Sequence, residues 1–161
     1  GFARCGALPP WRGESGMTTQ NGPARPRALM WVAIAALVWN LIGLAMFWMQ
    51  VTMDPAQLAT LPQPQREVYL ATPGWLNVAF AFAVLGGVLG ALALLLRRRW
   101  AVPMFQVSLL GLLVQMAGAY LVTPAWSAYG PAGLAMPVLL LAIALALLFY
   151  ARRCAARGWL R

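Results

Sequence analysis

The sequence predicts an all-α fold, an integral membrane four-helix transmembrane bundle, from its composition and from the length and continuity of its apolar runs. Hydrophobic residues make up 62% of the 161 positions and charged residues only 9%. A soluble domain usually has about 25% charged residues, so these few charges cannot cover a water-soluble globule. Four uncharged apolar runs are each long enough for a helix that crosses a hydrocarbon core of about 30 Å. Because the runs are continuous rather than alternating, we expect helices and not barrel strands.

The chain begins with a stretch that differs from the rest. Residues 1–16 are rich in Gly and Pro, whereas Met17 opens a basic cytoplasmic lead, 17–28, before the first apolar run. We therefore expect translation to start at Met17 and residues 1–16 to be an upstream extension, with a disordered tail as the alternative. The first run has 23 residues, whereas the apolar region of a cleaved signal peptide has about 7–15. This run is predicted to be a membrane anchor.

Four predicted spans and two charged segments set the domain organisation. The spans are 29–51, 75–96, 101–122 and 132–151, which together form a transmembrane domain over 29–151. Spans two and three are separated by so few residues that we expect an antiparallel hairpin with a tight turn. Residues 152–161 are predicted to be a basic cytoplasmic tail.

The longer connections contain helix start and stop signals. Asp54 and Gln57, with a proline between them, form a capping box, which predicts a short amphipathic helix on the outer face. A second short helical segment is expected over 65–71, and Thr72 is predicted to cap span two. Residues 123–131 predict a third short helix, which a Gly-Pro pair ends.

The arginine positions predict the orientation of the bundle. The chain has 12 basic residues, all Arg, against three acids, and a net charge of +9. Because basic residues accumulate in cytoplasmic segments, both termini are predicted to be cytoplasmic, N-in and C-in. These clusters are expected to contact anionic lipid headgroups, and nucleic acid is not expected as a partner. Arg66 falls on the outer side, and the arginines that share the inner side are Arg25, Arg27, Arg97, Arg98, Arg99, Arg152, Arg153, Arg157 and Arg161.

Small residues inside the spans predict where the helices pack. Gly86 and Gly90 form a GxxxG pattern in span two, and Gly111 and Gly118 lie on one face of span three. Helices in a membrane associate through small residues that let two backbones approach closely. Packing within one bundle is the main hypothesis, and a homodimer face on Gly86 and Gly90 is the alternative.

Five polar side chains inside the spans are candidates for substrate binding: Asn40, Gln50, Asn77, Gln115 and Tyr120. Asn40 and Gln115 lie near the middle of spans one and three, so they can meet if those spans adjoin. The other three lie near the outer ends of their spans. Together they predict a shallow outward-facing vestibule for a neutral solute such as a sugar or polyol. The alternative is that the amides form interhelical hydrogen bonds of about 0.6–2 kcal/mol each.

The sequence argues against enzymes, metal proteins and ion-driven carriers. It has no His, and its two cysteines, Cys5 and Cys154, are far apart in the sequence, so we predict no metal site and no cofactor. Proton- and ion-coupled carriers normally need a charged residue inside a span, and these spans have none. No catalytic residue is predicted, because the chain has no general-base histidine and no phosphate-binding loop.

Several short strings stand out between residues 29 and 161. They are WNLIG at 39–43, MQ at 49–50, GGVLG at 86–90, RRWAVP at 98–103, SL at 108–109, QM at 115–116, GP at 130–131, MP at 136–137 and RGW at 157–159. In their order and spacing they resemble an uncharacterised family of small four-span bacterial inner-membrane proteins, some of which are labelled sugar transporters. The resemblance implies a bacterial multi-pass protein with a four-helix fold, and it implies no active-site residues.

Two functions are the main hypotheses from these features, and a membrane enzyme or an enzyme subunit is a third, which the lack of catalytic residues disfavours. The first is a non-enzymatic inner-membrane protein with a structural, accessory or stress-related role. The alternative is a carrier or facilitator for a small neutral solute, as a dimer, since four helices alone rarely enclose a pathway. A polar cavity that converges on the predicted amides favours the carrier, whereas amides paired within a dry bundle favour the structural role.

Reporter fusions test the predicted topology. Fusions after Arg99 and after Arg161 are expected to report a cytoplasmic location, and fusions near Gln65 an exported one, because the arginines concentrate on one side. Alkaline phosphatase and a fluorescent protein, fused at each position, measure the two locations independently. An exported signal at either arginine position contradicts the predicted orientation.

Overall fold

The computed structural model describes residues 27–161, and all of its regular structure is helical within that range. The predictions on the 1–16 extension, on the start at Met17 and on most of the basic lead lie outside the described residues. Within residues 27–161, seven α-helices and one 3₁₀ turn follow one another. They are α1 Arg27–Val51, α2 Pro55–Thr60, α3 Gln63–Ala71, α4 Gly74–Leu95, α5 Ala101–Val122, α6 Ala125–Tyr129, the 3₁₀ turn Pro131–Leu134 and α7 Ala135–Ala156.

The four long helices, α1, α4, α5 and α7, confirm the four predicted helical runs. Each is long and apolar enough to cross a membrane. Large apolar side chains cover their outward faces, and Leu121, for example, is 83% exposed. The boundaries differ most from the prediction at α7, which begins at Ala135 instead of 132 and continues past position 151 to include Arg152 and Arg153. Arginines are good helix formers, so the helix extends beyond the apolar run.

The short helices lie at one end of the bundle, which we call the loop end. The capping box predicted before α2 is present: Gln57 N donates to Asp54 Oδ1 at 2.7 Å, and Asp54 N donates to Gln57 Oε1 at 3.3 Å. Thr72 does not cap α4 as predicted. Its hydroxyl donates back to the Val68 carbonyl at 2.7 Å, and Pro73 is the N-cap residue. The hydroxyl thus bonds the preceding turn of α3 instead of the next helix, as Ser and Thr commonly do.

The contact between α4 and α5 is the most extensive helix contact in the fold. A Cβ built at Gly86 would lie 2.9 Å from the Ser108 backbone nitrogen, and one at Gly111 would lie 2.7 Å from the Ala83 nitrogen. Gly90 faces the ring of Phe105, and Gly118 faces Leu76 and Trp75. All four predicted packing glycines therefore lie between these two helices. At Gly86 and Gly111 the partner backbone leaves no room for a side chain, and at Gly90 and Gly118 side chains of the partner helix fill that space.

The outer two helices, α1 and α7, pack on different members of this central pair. Helix α1 packs on α4, where Phe47 and Phe80 meet edge to face with ring centroids 5.3 Å apart. Helix α7 packs on α5. The described chain has no comparably extensive contact between α1 and α7. The bundle therefore consists of a tight central pair with one helix on each partner.

The opposite end of the bundle, which we call the arginine end, is closed by a buried cluster. All four long helices contribute to it, and so does Leu160, which is 1% exposed. The chain after α7 reverses at Gly158, with φ +70°, and then runs along the α4–α5 turn. There Arg161 N donates to the Arg97 carbonyl at 2.7 Å, and Arg99 N donates to the Arg161 carbonyl at 2.9 Å. These bonds hold the last residues against the turn.

Two identical substitutions are expected to have opposite effects on stability. Gly111→Ala would place a methyl group within 2.7 Å of the α4 backbone, and overpacking of this kind costs about 1–3 kcal/mol. Gly43→Ala meets only Val84 Cγ1, at an ordinary 3.6 Å, and Ala is a better helix former than Gly by about 1 kcal/mol.

The measurement is the free energy of unfolding of both variants in mixed detergent micelles. Gly43→Ala is the control for Gly111→Ala, because both add the same methyl group inside a long helix. Equal effects of the two substitutions contradict the close α4–α5 contact.

Candidate functional site

Two of the predicted site residues bond to each other. Gln50 Nε2 donates to Asn77 Oδ1 at 3.0 Å and so joins the last turn of α1 to the first turn of α4. The Tyr69 hydroxyl of α3 donates to the Gln50 backbone carbonyl at 3.0 Å. These three residues connect α1, α3 and α4 at the loop end. Both amides are half-buried, and the bond between them takes one donor and one acceptor away from any solute.

Asn40 lies at mid-length of α1 and bonds to its own helix. Its Nδ2 donates to the Ala36 carbonyl, four residues earlier, at 2.8 Å. Its Oδ1 lies against the backbone of Gly87, so close that a Cβ at this position would overlap the oxygen. The Asn40 amide therefore occupies the place of a side chain at Gly87 and fills the α1–α4 contact.

The remaining two predicted site residues, Gln115 and Tyr120, lie on α5. Gln115 is half-buried, but it does not line the cavity that Asn40 lines. The Tyr120 ring meets Trp126 of α6 edge to face, with centroids 6.3 Å apart. Within residues 27–161, neither side chain is hydrogen-bonded to Asn40, Gln50 or Asn77. Hydrogen bonds therefore do not join all five residues into one site, and that site stays a prediction.

A cavity of about 340 Å³ lies between α1 and α7, with α4 and α5 as its floor. This volume is near the lower end of the range of about 300–1,000 Å³ found for small-molecule sites. It exists because α1 and α7 pack on different partners and leave a cleft between them. The lining residues are Trp39, Asn40, Ile42, Gly43, Met46, Phe80, Ala83, Val84, Phe105, Ser108, Leu112, Met136, Leu140, Ile143, Ala144 and Leu147.

The cavity wall is almost entirely apolar. Among its lining residues, side-chain nitrogen and oxygen atoms come only from Trp39, Asn40 and Ser108. The Ser108 hydroxyl donates to the Ala83 carbonyl at 2.6 Å, across the α4–α5 contact. Because Asn40 also donates to a carbonyl, two of the three polar side chains are already bonded within the protein. A polyhydroxylated solute would lose its hydrogen bonds to water and regain few of them here.

Sequence reasoning found Asn40 but missed Gly87 and Ser108, which fix its surroundings. The GxxxG pattern needs only Gly86 and Gly90. The additional glycine at position 87 was the signal that a second helix contact lies there. Ser108 lies three residues before Gly111 on α5 and thus on the same helix face. That spacing predicts its location at the α4–α5 contact, although the carbonyl that it bonds is a property of the packed pair.

The described part of the chain contains no cluster of three or more His, Cys, Asp or Glu that could hold a metal ion. Its two carboxylates have structural partners: Asp54 caps α2, and Glu67 Oε1 accepts from Gln63 at 3.0 Å. Neither lines the cavity. The arrangement offers an apolar cavity and bonded amides, with no acid–base pair beside them.

No protein-family model, curated protein or solved structure matches the chain. The resemblance to small four-span bacterial proteins therefore stays a prediction from the sequence strings.

A double-mutant cycle tests the contact between Asn40 and Gly87. Gly87→Ala is expected to destabilise the protein by about 1–3 kcal/mol, because the new methyl group takes the position of the Asn40 amide oxygen. In the Asn40→Ala background the same change should cost much less, since the obstructing amide is gone and Ser108 Oγ, at 3.3 Å, is the close neighbour that remains. Unfolding free energies of the four proteins measure the coupling. Additive effects would show that the two residues do not touch.

Proposed function

We propose that the chain is a multi-pass protein of the bacterial inner membrane with a structural or accessory role and no catalytic activity. Four long apolar helices with large exposed apolar side chains support its placement in a membrane. The bacterial inner membrane is inferred from the resemblance of the sequence strings. The outward faces of the bundle would then contact lipid hydrocarbon, which explains why they expose so many large apolar side chains.

The observation that carries the structural role is the use of the polar groups inside the bundle. The Gln50 and Asn77 amides bond to each other, and Asn40 and Ser108 donate to backbone carbonyls. The Gln50–Asn77 and Ser108–Ala83 bonds join neighbouring helices, and such bonds in a membrane average about 0.6 kcal/mol each. The Asn40 bond lies within α1. Amides and hydroxyls that are already hydrogen-bonded within the protein have few donors and acceptors left to replace the hydration shell of a passing solute. This use of amides favours helix packing over transport.

Charge supports the predicted orientation and the lipid partners. Arg27, the α4–α5 turn and the end of α7 bring arginines to the arginine end of the bundle, and Arg66 lies at the loop end. At the loop end, Arg66 Nη2 donates to the carbonyls of Ala59 and Leu61 and so serves the local fold. By the positive-inside rule the arginine end is cytoplasmic. There each exposed arginine attracts anionic headgroups by about 1 kcal/mol.

A carrier for a small neutral solute is the second candidate. The observation in its favour is the cavity itself, which lies at mid-length of the helices and includes the Asn40 amide. A sugar or polyol would need hydrogen bonds along its path, and the cavity wall offers few. A second copy of the chain would have to supply the rest of the pathway, as a homodimer.

Uptake by liposomes separates these two functions. The purified protein is reconstituted and assayed with a panel of labelled neutral sugars and polyols, beside the Asn40→Leu/Gln115→Leu double variant and protein-free vesicles. We expect no uptake above that of protein-free vesicles for any solute, because the amides are engaged within the bundle. Uptake that the double variant abolishes would contradict the structural role and make the amides a solute site.

A further inference from the structure

We propose that the cleft between α1 and α7 is a binding site for one aliphatic chain of a membrane lipid, which enters sideways between the two helices. This inference rests on the proposed placement of the chain in a membrane. It does not depend on whether the protein carries a solute. Shape, chemistry and length of the cleft each support the same occupant.

The cleft has a closed floor, one closed end and an open side. Helices α4 and α5 form the floor, and the buried cluster at the arginine end closes the base, with Ala33 of α1 and Ala151 of α7 both fully buried. Above that cluster, α1 and α7 have no extensive contact. The opening between them faces sideways, and in a bilayer that side contains lipid chains instead of water.

The chemistry of the wall fits a guest without hydrogen-bonding groups. Phe80, Phe105, Leu140 and Leu147 are representative of its apolar surface. One N–H of the Asn40 amide and the Ser108 hydroxyl already donate to carbonyls, and a methylene chain in the cleft leaves both bonds in place. An empty cavity of this size would forfeit the dispersion contacts of its lining. A lipid chain restores them, and it is the molecule present at highest concentration at the opening.

The length of the cleft suits one aliphatic chain. On α7 the lining begins at Met136, in the first turn at the loop end, and continues to Leu147. At a rise of 1.5 Å per residue these eleven steps span about 16 Å, and half of a hydrocarbon core is about 15 Å. On α5 the lining includes Phe105, in the second turn from the arginine end. The cleft therefore extends from near the loop-end surface past the middle of the helices, which is deep enough for one chain of a lipid in the loop-end leaflet.

Photolabelling with a lipid tests the site. The protein is reconstituted in phosphatidylethanolamine–phosphatidylglycerol vesicles that contain a phosphatidylglycerol with a diazirine in mid-chain, irradiated, and mapped by mass spectrometry. We expect labelling per residue at Ile143 and Leu147 to exceed that at exposed Phe149 by at least fivefold. It should also saturate with probe concentration, whereas labelling of Phe149 rises in proportion to it.

A matched pair of variants assigns the label to the cleft. Ala144→Phe places a ring inside the cavity and should reduce labelling at Ile143 and Leu147 at least fivefold. Ala142→Phe adds the same ring to an exposed position on the same helix and should leave that labelling unchanged. If Ala144→Phe fails to fold, the saturation measurement on the unmodified protein remains the test.

The outcomes separate failure of the site from failure of the membrane placement. Labelling at Phe149 without preferential, saturable labelling of the cleft overturns the lipid site. Absence of lipid labelling in the cleft, together with a dimer on native electrophoresis, also overturns the lipid site and favours a second copy of the chain as the occupant. Absence of labelling everywhere, with protein that does not float with the vesicles, contradicts the membrane placement itself.

Discussion

The close approach of α4 and α5 is the constraint on which the rest of the bundle depends. At Gly86 and Gly111 each helix places its backbone where the other would otherwise carry a side chain. In hydrocarbon, where apolar side chains gain little by leaving the solvent, such backbone contact is a main source of association. The tight pair then presents one face of α4 to α1 and one face of α5 to α7. The cleft between the outer helices is a consequence of that arrangement.

The same contact determines how the polar groups are used. Ser108 lies close enough to α4 to donate to the Ala83 carbonyl, and Gly87 leaves room on α4 for the Asn40 amide of α1. Gln50 and Asn77 bond at the loop end, so α1 is fixed to α4 at two depths. Gln50 and Ser108 therefore bond neighbouring helices to one another, Asn40 fills the α1–α4 contact, and the cavity stays largely apolar. That division of roles favours a lipid-facing structural protein over a carrier for polar solutes.

Much of the fold could be predicted from the sequence, because its signals are local. Uninterrupted apolar length predicted the four long helices, and the Asp54–Gln57 spacing predicted the cap of α2. The partners of buried amides could not be predicted, since they depend on how the helices rotate against one another. Asn40 and Gln115 were predicted to meet because both lie near the middle of their spans, yet Asn40 bonds its own helix. The cavity could not be predicted from the sequence either, because it arises from the lack of extensive contact between α1 and α7.

The environment of the Asn40 side-chain amide is the most direct test of this account. The measurement is nuclear Overhauser spectroscopy on deuterated protein, protonated at its exchangeable sites, in nanodiscs whose lipids have protonated chains. Exposed Gln57 of α2 serves as the water-contacting control. We expect cross-peaks from the Asn40 amide and the Trp39 indole to lipid methylene protons, and none from Asn40 to water. Water cross-peaks at Asn40 without methylene cross-peaks would contradict an apolar, lipid-filled cleft and would favour a hydrated pathway.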